Sequence, residues 1–318
     1  MLKYYDLVDG RVRVCGEGQT GIIQVYSDPT EEEKAYLIEE CGIDAHTLAS
    51  ALDEDEISRI EYEPEHIAVI MKRPRDIQTG RRMAFRVSSV GVFLFKDKLI
   101  ALQSEQMPLF EHGRMPLRGN TIQGVLLRLL HHATHHFLEH LRIIRNISDE
   151  IETKIEFAVT NKSLVNMFSL LKSLTYYESA TSANQLLLLR LRSDAARIGF
   201  NEEEIEFLED ITVENKQCDN LAGIYAGILT GMSDARVSVV SNNLAVIMKY
   251  LAIINVVFMP LTVITGLGGM SEFGDMAKNL GIWAPHAYSA LVLVLVIVGY
   301  ITYLLMQRLE ANYGGRRR

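Results

Sequence analysis

Two groups of residues in this 318-residue chain have types and spacings that suit cations. The first is His131-HATHHFLEH, where five of the nine histidines fall within ten residues. On a helix, His131/His135, His132/His136 and His136/His140 are i,i+4 neighbours, a spacing that can hold a transition metal. Imidazole suits zinc, nickel or cobalt better than Mg²⁺, and Glu139 offers a carboxylate beside it. The other reading is a polar helix face that titrates near neutral pH. Five side chains on ten helical residues cannot all face one point. The second group is Met248, Leu251, Asn255, Met259, Thr262 and Gly266, which recur every three or four residues and share one helix face. Asn255 and Thr262 are polar groups inside an apolar span. Such groups face a bundle interior or a water-filled path, or bond neighbouring helices. Asn255 fits the path better; Thr262 fits both equally.

The second group lies in an element that can be read directly. From Tyr250 to Leu267 the chain carries no charge, and Ala287 to Met306 is a second uncharged run. A bilayer core of ~30 Å takes ~20 helical residues. Leu291-VLVLVIV is apolar on every face, which suits lipid rather than a surface helix. Lys249 precedes the first span, and Arg308 and Arg316-Arg317-Arg318 follow the second. The connection between them, with Glu272, Asp275 and Lys278, is not basic. The positive-inside rule therefore places both termini in the cytoplasm. Trp283 and Tyr288 stand where interfacial aromatics belong. Met1-LKYYDLVDG lacks a signal-peptide pattern. Pro260 is expected to kink the first span.

The net charge of -8 marks an acidic soluble part. Acidic surfaces do not favour nucleic acid, whose binding rests on phosphate neutralisation; they do favour cations. Cys15, Cys41 and Cys218 are far apart, so neither a disulfide framework nor a cysteine zinc site is indicated. No phosphate-binding glycine loop, H-E-x-x-H or nucleophile elbow occurs, which argues against an enzyme.

Ahead of the hairpin, residues 1–118 alternate strand and helix signals. Arg11-VRVC and Ile22-IQVYS are β-rich runs. Thr30 caps a helix with Glu33 three residues on and Gly42 past its end, and a second short helix follows Asp44. Ile60-EYEPEHIAVIMKRP and Met83-AFRVSSVGVFLF read as strands, with a turn near Thr79-Gly80. Asp53-EDE with Glu61, Glu63 and Glu65 reads as a solvated loop and strand edge. These signals indicate an α/β domain with a mixed sheet. Residues 119–243 read as a helical bundle and stalk: one helix over 121–160, another over 162–197, and a third from the cap Asn201-EEE. The third meets no stop signal before the membrane, so one long helix is expected to pack on the two before it or on copies of itself. The fold class is thus α+β. A cytoplasmic α/β domain leads through a stalk to a first span over 244–270, an outer loop over 271–284, a second span over 285–307 and a basic tail over 308–318.

Ser241-NNLAVIMKYLAIINVVFMPLTVITGLGGM resembles the first membrane helix and signature of the CorA-type divalent cation channels, the two-transmembrane GxN family that includes the zinc-handling ZntB branch. Pro29-TEEEKAYLIEECGIDAHTLASALDEDEISRIEYEPEHIAVIMKRP resembles the same family, and the likeness spans essentially the whole chain. It implies a homopentameric funnel whose first membrane helix lines a pore for divalent cations, Mg²⁺ first and Zn²⁺, Co²⁺ or Ni²⁺ second. It implies an ion entrance at Gly269-Met270-Ser271, where the family carries Gly-x-Asn. Serine offers one hydroxyl on a shorter arm than the amide, so its ring would orient a hydrated cation less strongly. Met248, Leu251 and Met259 match the family's apolar gate, which can close by dewetting. Ala245 stands where the family usually has a further Asn. Asp210 matches a stalk carboxylate that binds a regulatory cation; the next family acid falls on Val213, beside Glu214. A poorly conducting membrane sensor or scaffold is the other class of function that Ser271 and Val213 suggest.

Overall fold

The computed structural model describes the chain except for residues 9, 17–18, 76–77, 80–82, 111–120, 156–160, 280–283 and 315–318. Gly80, Thr160, Trp283 and the three terminal arginines therefore lie outside the described residues. The chain divides into two compact units, Met1–Asp234 and Ala235–Arg318.

The first unit begins with β1 (Leu2–Val8), β2 (Arg11–Val14) and β3 (Ile23–Ser27), followed by α1 (Glu31–Glu39) and α2 (Ala45–Leu52). Then come β4 (Arg59–Tyr62), β5 (Ile67–Pro74), β6 (Gln78–Thr79), β7 (Met83–Ala84), β8 (Val87–Leu94) and β9 (Leu99–Gln103). Seven strands form one mixed sheet in the order β2-β1-β3-β9-β8-β5-β4. β3 pairs with β9 in parallel, and the other neighbours are antiparallel. The run from Ile60 to Pro74 is two strands rather than one, turning around Pro64, where the missing amide N–H favours a turn over a ladder. β1 and β9 are additional to the strands read from sequence.

Alternation sorts the sheet residues into two cores. Leu99 and Ala101 of β9 join Val90 and Val92 of β8 on one face, while Ile100, Leu102 and Phe93 join the α1–α2 side. That is the period-2 signature of a sheet buried on both faces. Gly91 lets α2 approach: a Cβ there would lie 2.5 Å from the Cβ of Ala51. The capping box expected at Thr30 and Glu33 forms, and Asp44 accepts from the His46 and Thr47 amides.

The helical part consists of α3 (Ile122–Ile155), α4 (Asn161–Ser193), the short α5 (Ala195–Ile198) and the start of α6 (Glu202–Gly268). Asn201 and Glu204 exchange two 2.9 Å bonds that cap α6. α6 then runs 67 residues without a break, as the absence of a stop signal indicated. Phe137, Leu141, Ile144, Leu174, Tyr177 and Cys218 fill a third core between α3, α4 and α6. All three cysteines are free.

One contact ties α4 to the sheet. The pairing of β4 with β5 ends at Ile70, which leaves the outer edge of Lys72 uncovered. Asn184, buried on α4, takes its place. Its Nδ2 donates to the Lys72 carbonyl at 2.8 Å, and its Oδ1 accepts from the Lys72 amide at 2.9 Å and from Ser58 Oγ at 2.8 Å.

The second unit holds the remainder of α6, then α7 (Ser271–Asn279) and α8 (Ala284–Gly314). The stretch 271–284 was expected as a loop, but its first nine residues are helical. α8 also continues past 307, through most of the expected tail.

Replacing Asn184 by Leu should lower stability by roughly 2–4 kcal/mol, because a buried N–H and C=O each lose their partner. Thermal unfolding of the full-length protein in detergent measures it.

Candidate ion path and cation-ligand clusters

Within the second unit, α6 has two distinct faces. Over residues 250–268 the partly or fully buried positions are Ile253, Val257, Pro260, Leu261, Ile264 and Gly268. They meet α8: a Cβ at Gly268 would lie 2.3 Å from Leu291 Cδ2, and one at Gly299 3.6 Å from Leu261 Cδ1. Gly268 is thus where the antiparallel pair needs a small residue, whereas a side chain at Gly299 would make ordinary contact. At ~100° per residue, Met248, Leu251, Asn255, Met259, Thr262 and Gly266 centre roughly 170° from that face. Met248 is 61% exposed, Leu251 53% and Met259 73%. The whole stripe therefore points out of the chain, opposite α8. Among the described residues, two helical stretches are long and apolar enough to cross a membrane, and neither is buried inside the protein.

Thr262 Oγ1 donates to the Phe258 carbonyl at 2.9 Å. Its hydrogen is used within the helix, while its oxygen lone pairs stay available to water or a cation. Asn255 is exposed on the same face. Pro260 stands inside α6, where it withholds an N–H from the Val256 carbonyl.

At the end of α6, the Gly269 amide donates to Thr265 O at 3.0 Å and the Met270 amide to Leu267 O at 3.3 Å. α7 begins at the next residue, Ser271, whose Oγ lies 3.3 Å from Glu272 Oε2. Gly269-Met270-Ser271 is thus a tight link between two helices. Ser271 followed by an acidic Glu272 is a helix-start signal that was available in the sequence.

In the first unit, Asp210 is exposed on α6 while Leu208, Ile211, Asn215 and Cys218 are buried. Val213 is 71% exposed on the same outward side. Glu214 is turned instead toward α3, with its Oε2 3.5 Å from His131 Nε2.

The histidines of α3 spread over several surroundings. His131 stacks on His135 with ring centroids 6.2 Å apart, and His135 Nε2 lies 3.5 Å from Glu139 Oε1. His132, His135, His136 and Glu139 border a recess of about 80 Å³ beside Arg73. His140 Nδ1 is 2.5 Å from Tyr177 Oη inside the helical core. Burial pushes His131 below its ordinary range, and pushes His132 and His140 down to about 4, with Arg73 adding to the effect on His132. Among the described residues, no three His, Cys, Asp or Glu side chains converge to hold a metal. The helical step turns successive histidines away from one another. Three of the seven acids in the acidic stretch form ion pairs: Glu54 with Arg75, and Glu56 and Glu61 with Arg59.

A mixed α/β domain followed by a continuous helix and an apolar two-helix hairpin defines a two-span membrane protein. The sequence pattern of the family described as CorA-like Mg²⁺ transporter protein matches residues 20–308, and the chain belongs to that family of divalent cation transporters. It is 26% identical over 287 residues to the cobalt/magnesium transport protein CorA of Methanocaldococcus jannaschii (strain ATCC 43067), covering 86% of this chain and 87% of that one. The complete structure of the CorA magnesium transporter from that organism aligns with a TM-score of 0.76 at 21% identity over 96% of both chains. The full-length CmaX protein aligns at 0.71 and 17% identity, covering 98% of this chain and 97% of that one. The ZntB cytoplasmic domain from Vibrio parahaemolyticus aligns at 0.57 and 10% identity over 76% of this chain and 98% of that one.

A histidine buried in its neutral form favours the fold only while the unfolded chain also leaves it neutral. For His140, the unfolded form titrates near ~6.5 and the folded form at about 4. Its contribution should be full above ~6.5 and lost as pH falls toward 4. Thermal unfolding across that range should show falling stability, and His140→Gln should make the fall shallower.

Proposed function

We propose that this chain is the subunit of a homopentameric channel that carries Mg²⁺, and Co²⁺ as a second ion, across a bacterial-type inner membrane, with both termini in the cytoplasm. The observation that carries the reading is the outward stripe of α6. Asn255 and Thr262 face away from α8, and polar groups turned to lipid are costly. Copies of the chain arranged around that face would place both groups on a water-filled path.

In that arrangement Met248, Leu251 and Met259 form apolar rings that close by dewetting. Asn255 supplies a ring of amides that orients the water shell of a passing cation, which suits Mg²⁺ because it sheds water reluctantly. Thr262 adds hydroxyl oxygens, and Gly266 leaves the path wide one turn from the entrance at Gly269, Met270 and Ser271. On the stalk, the exposed carboxylate of Asp210 is free to meet a cation shared with another subunit. That contact gives the cytosolic ion a means of holding the pore shut.

Flux into proteoliposomes, with Mg²⁺, Co²⁺ and Zn²⁺ compared, tests the reading. Asn255→Leu should cut Mg²⁺ flux roughly tenfold or more by removing the hydrated ring. Ser271→Asn should raise it. Absence of divalent flux in both the natural chain and Ser271→Asn would sink the channel and leave a membrane sensor or scaffold. Asp210→Ala should weaken closure, so that flux persists at internal Mg²⁺ concentrations that silence the natural chain.

A further inference from the structure

A cavity of about 990 Å³ opens in the first unit between α4, the start of β8 and the 54–57 stretch. Its volume is that of a small-ligand site. The floor is buried: Phe85, Ser173 and Ala180 lie there, and the Phe85 amide donates to Ser173 Oγ at 3.2 Å. One face of α4 supplies the wall. Phe168, Lys172 and Tyr176 stand at i, i+4 and i+8, with the Lys172 ammonium 5.7 Å from the Tyr176 ring centroid. Phe168 is 58% exposed and Tyr176 49%, although both border a recess that could cover them.

The lining carries three carboxylates, of Glu54, Asp55 and Glu56, and three cations, of Lys72, Arg86 and Lys172, but the carboxylates are already engaged. Glu54 pairs with Arg75 and Glu56 with Arg59. Asp55 lies near the buried Lys72 ammonium, which bonds the Glu54 carbonyl and, at 3.1 Å, Ser89 Oγ. Arg86 and Lys172 have no carboxylate partner among the described residues. Two cations are left facing a cavity edged by aromatic rings and by the hydroxyls of Ser169 and Ser179. Guanidinium and ammonium groups without carboxylates suit phosphate. Exposed aromatic faces suit a planar heterocycle.

We propose that this cavity binds a small phosphate-bearing ligand with a planar aromatic base, a nucleotide in chemical class. The phosphates lie against Arg86 and Lys172, and the base rests on the Phe168 and Tyr176 side of α4. The cavity's residues all belong to the first unit and the proposed ion path to the second, so ligand occupancy would be a second input to the same protein.

Equilibrium binding of radiolabelled ATP to the full-length protein in detergent, with a chelator present, tests this. Saturable binding is expected, with adenosine and inorganic tripolyphosphate each competing less well than unlabelled ATP. Lys172→Ala and Arg86→Ala should each weaken binding roughly tenfold, the scale of one charge-assisted bond. Lys172→Arg should largely restore it. Both side chains are exposed, so an unchanged melting temperature will show that the fold is kept. No saturable binding, or binding indifferent to both alanine variants, would overturn the proposal. So would tripolyphosphate competing as well as ATP, because the base would then contribute nothing. A Phe168→Cys variant shielded from thiol reagents in the assembled protein would show a second copy filling the cavity, and would overturn it too. None of these readouts depends on ion flux, so the result stands apart from the outcome for transport.

Discussion

A carboxamide in the middle of an apolar helix must meet water or another polar group, and Asn255 makes that demand on this protein. Its own chain cannot meet it. α8 lies against the other side of α6, where Gly268 makes room for Leu291. The hairpin is therefore complete in its packing but incomplete in its polarity. That asymmetry gives the stripe of Met248, Leu251, Met259 and Thr262 its place in the proposed function: residues that look misplaced on a single chain suit the inner surface of an assembly.

The soluble part resolves a comparable demand internally. A sheet seven strands wide leaves backbone groups open where the short β4 stops. Asn184 meets them with one side chain, offering the donor and acceptor that a further strand residue would have offered. A polar residue reaching from a helix core is thus part of the sheet's hydrogen bonding. Loss of that amide would loosen α4 and β5 together, and the aromatic cavity lies along the same helix.

Features governed by local chemistry were legible in the sequence. The caps at Thr30/Glu33 and Asn201/Glu204 depend on residues three apart, and the two spans depend only on composition. The one-face grouping of Asn255 and Thr262 follows from helical periodicity. β1 and β9 were missed because Leu2–Val8 mixes polar and apolar residues without clean alternation, and Leu99–Gln103 is short. The histidines show the limit of spacing arguments. His131 reaches Glu214 and His140 reaches Tyr177, partners far away in sequence that no i,i+4 rule names. The cavity was illegible for the same reason, since Arg86 and Lys172 come together only when α4 packs on the sheet.

The link between α6 and α7 is two residues long, Gly269 and Met270, and both of their amides bond back to α6. A loop would tolerate insertions, and its side chains could drift in position without disturbing what they join. A link this short is geared to the helix instead. Adding one residue would turn everything beyond it by ~100° and displace it along the axis. Change at this link is thus channelled into exchanging one side chain for another at a fixed place. In evolutionary terms, position 271 is a socket: its contents can vary while its location is inherited from the helix beneath it.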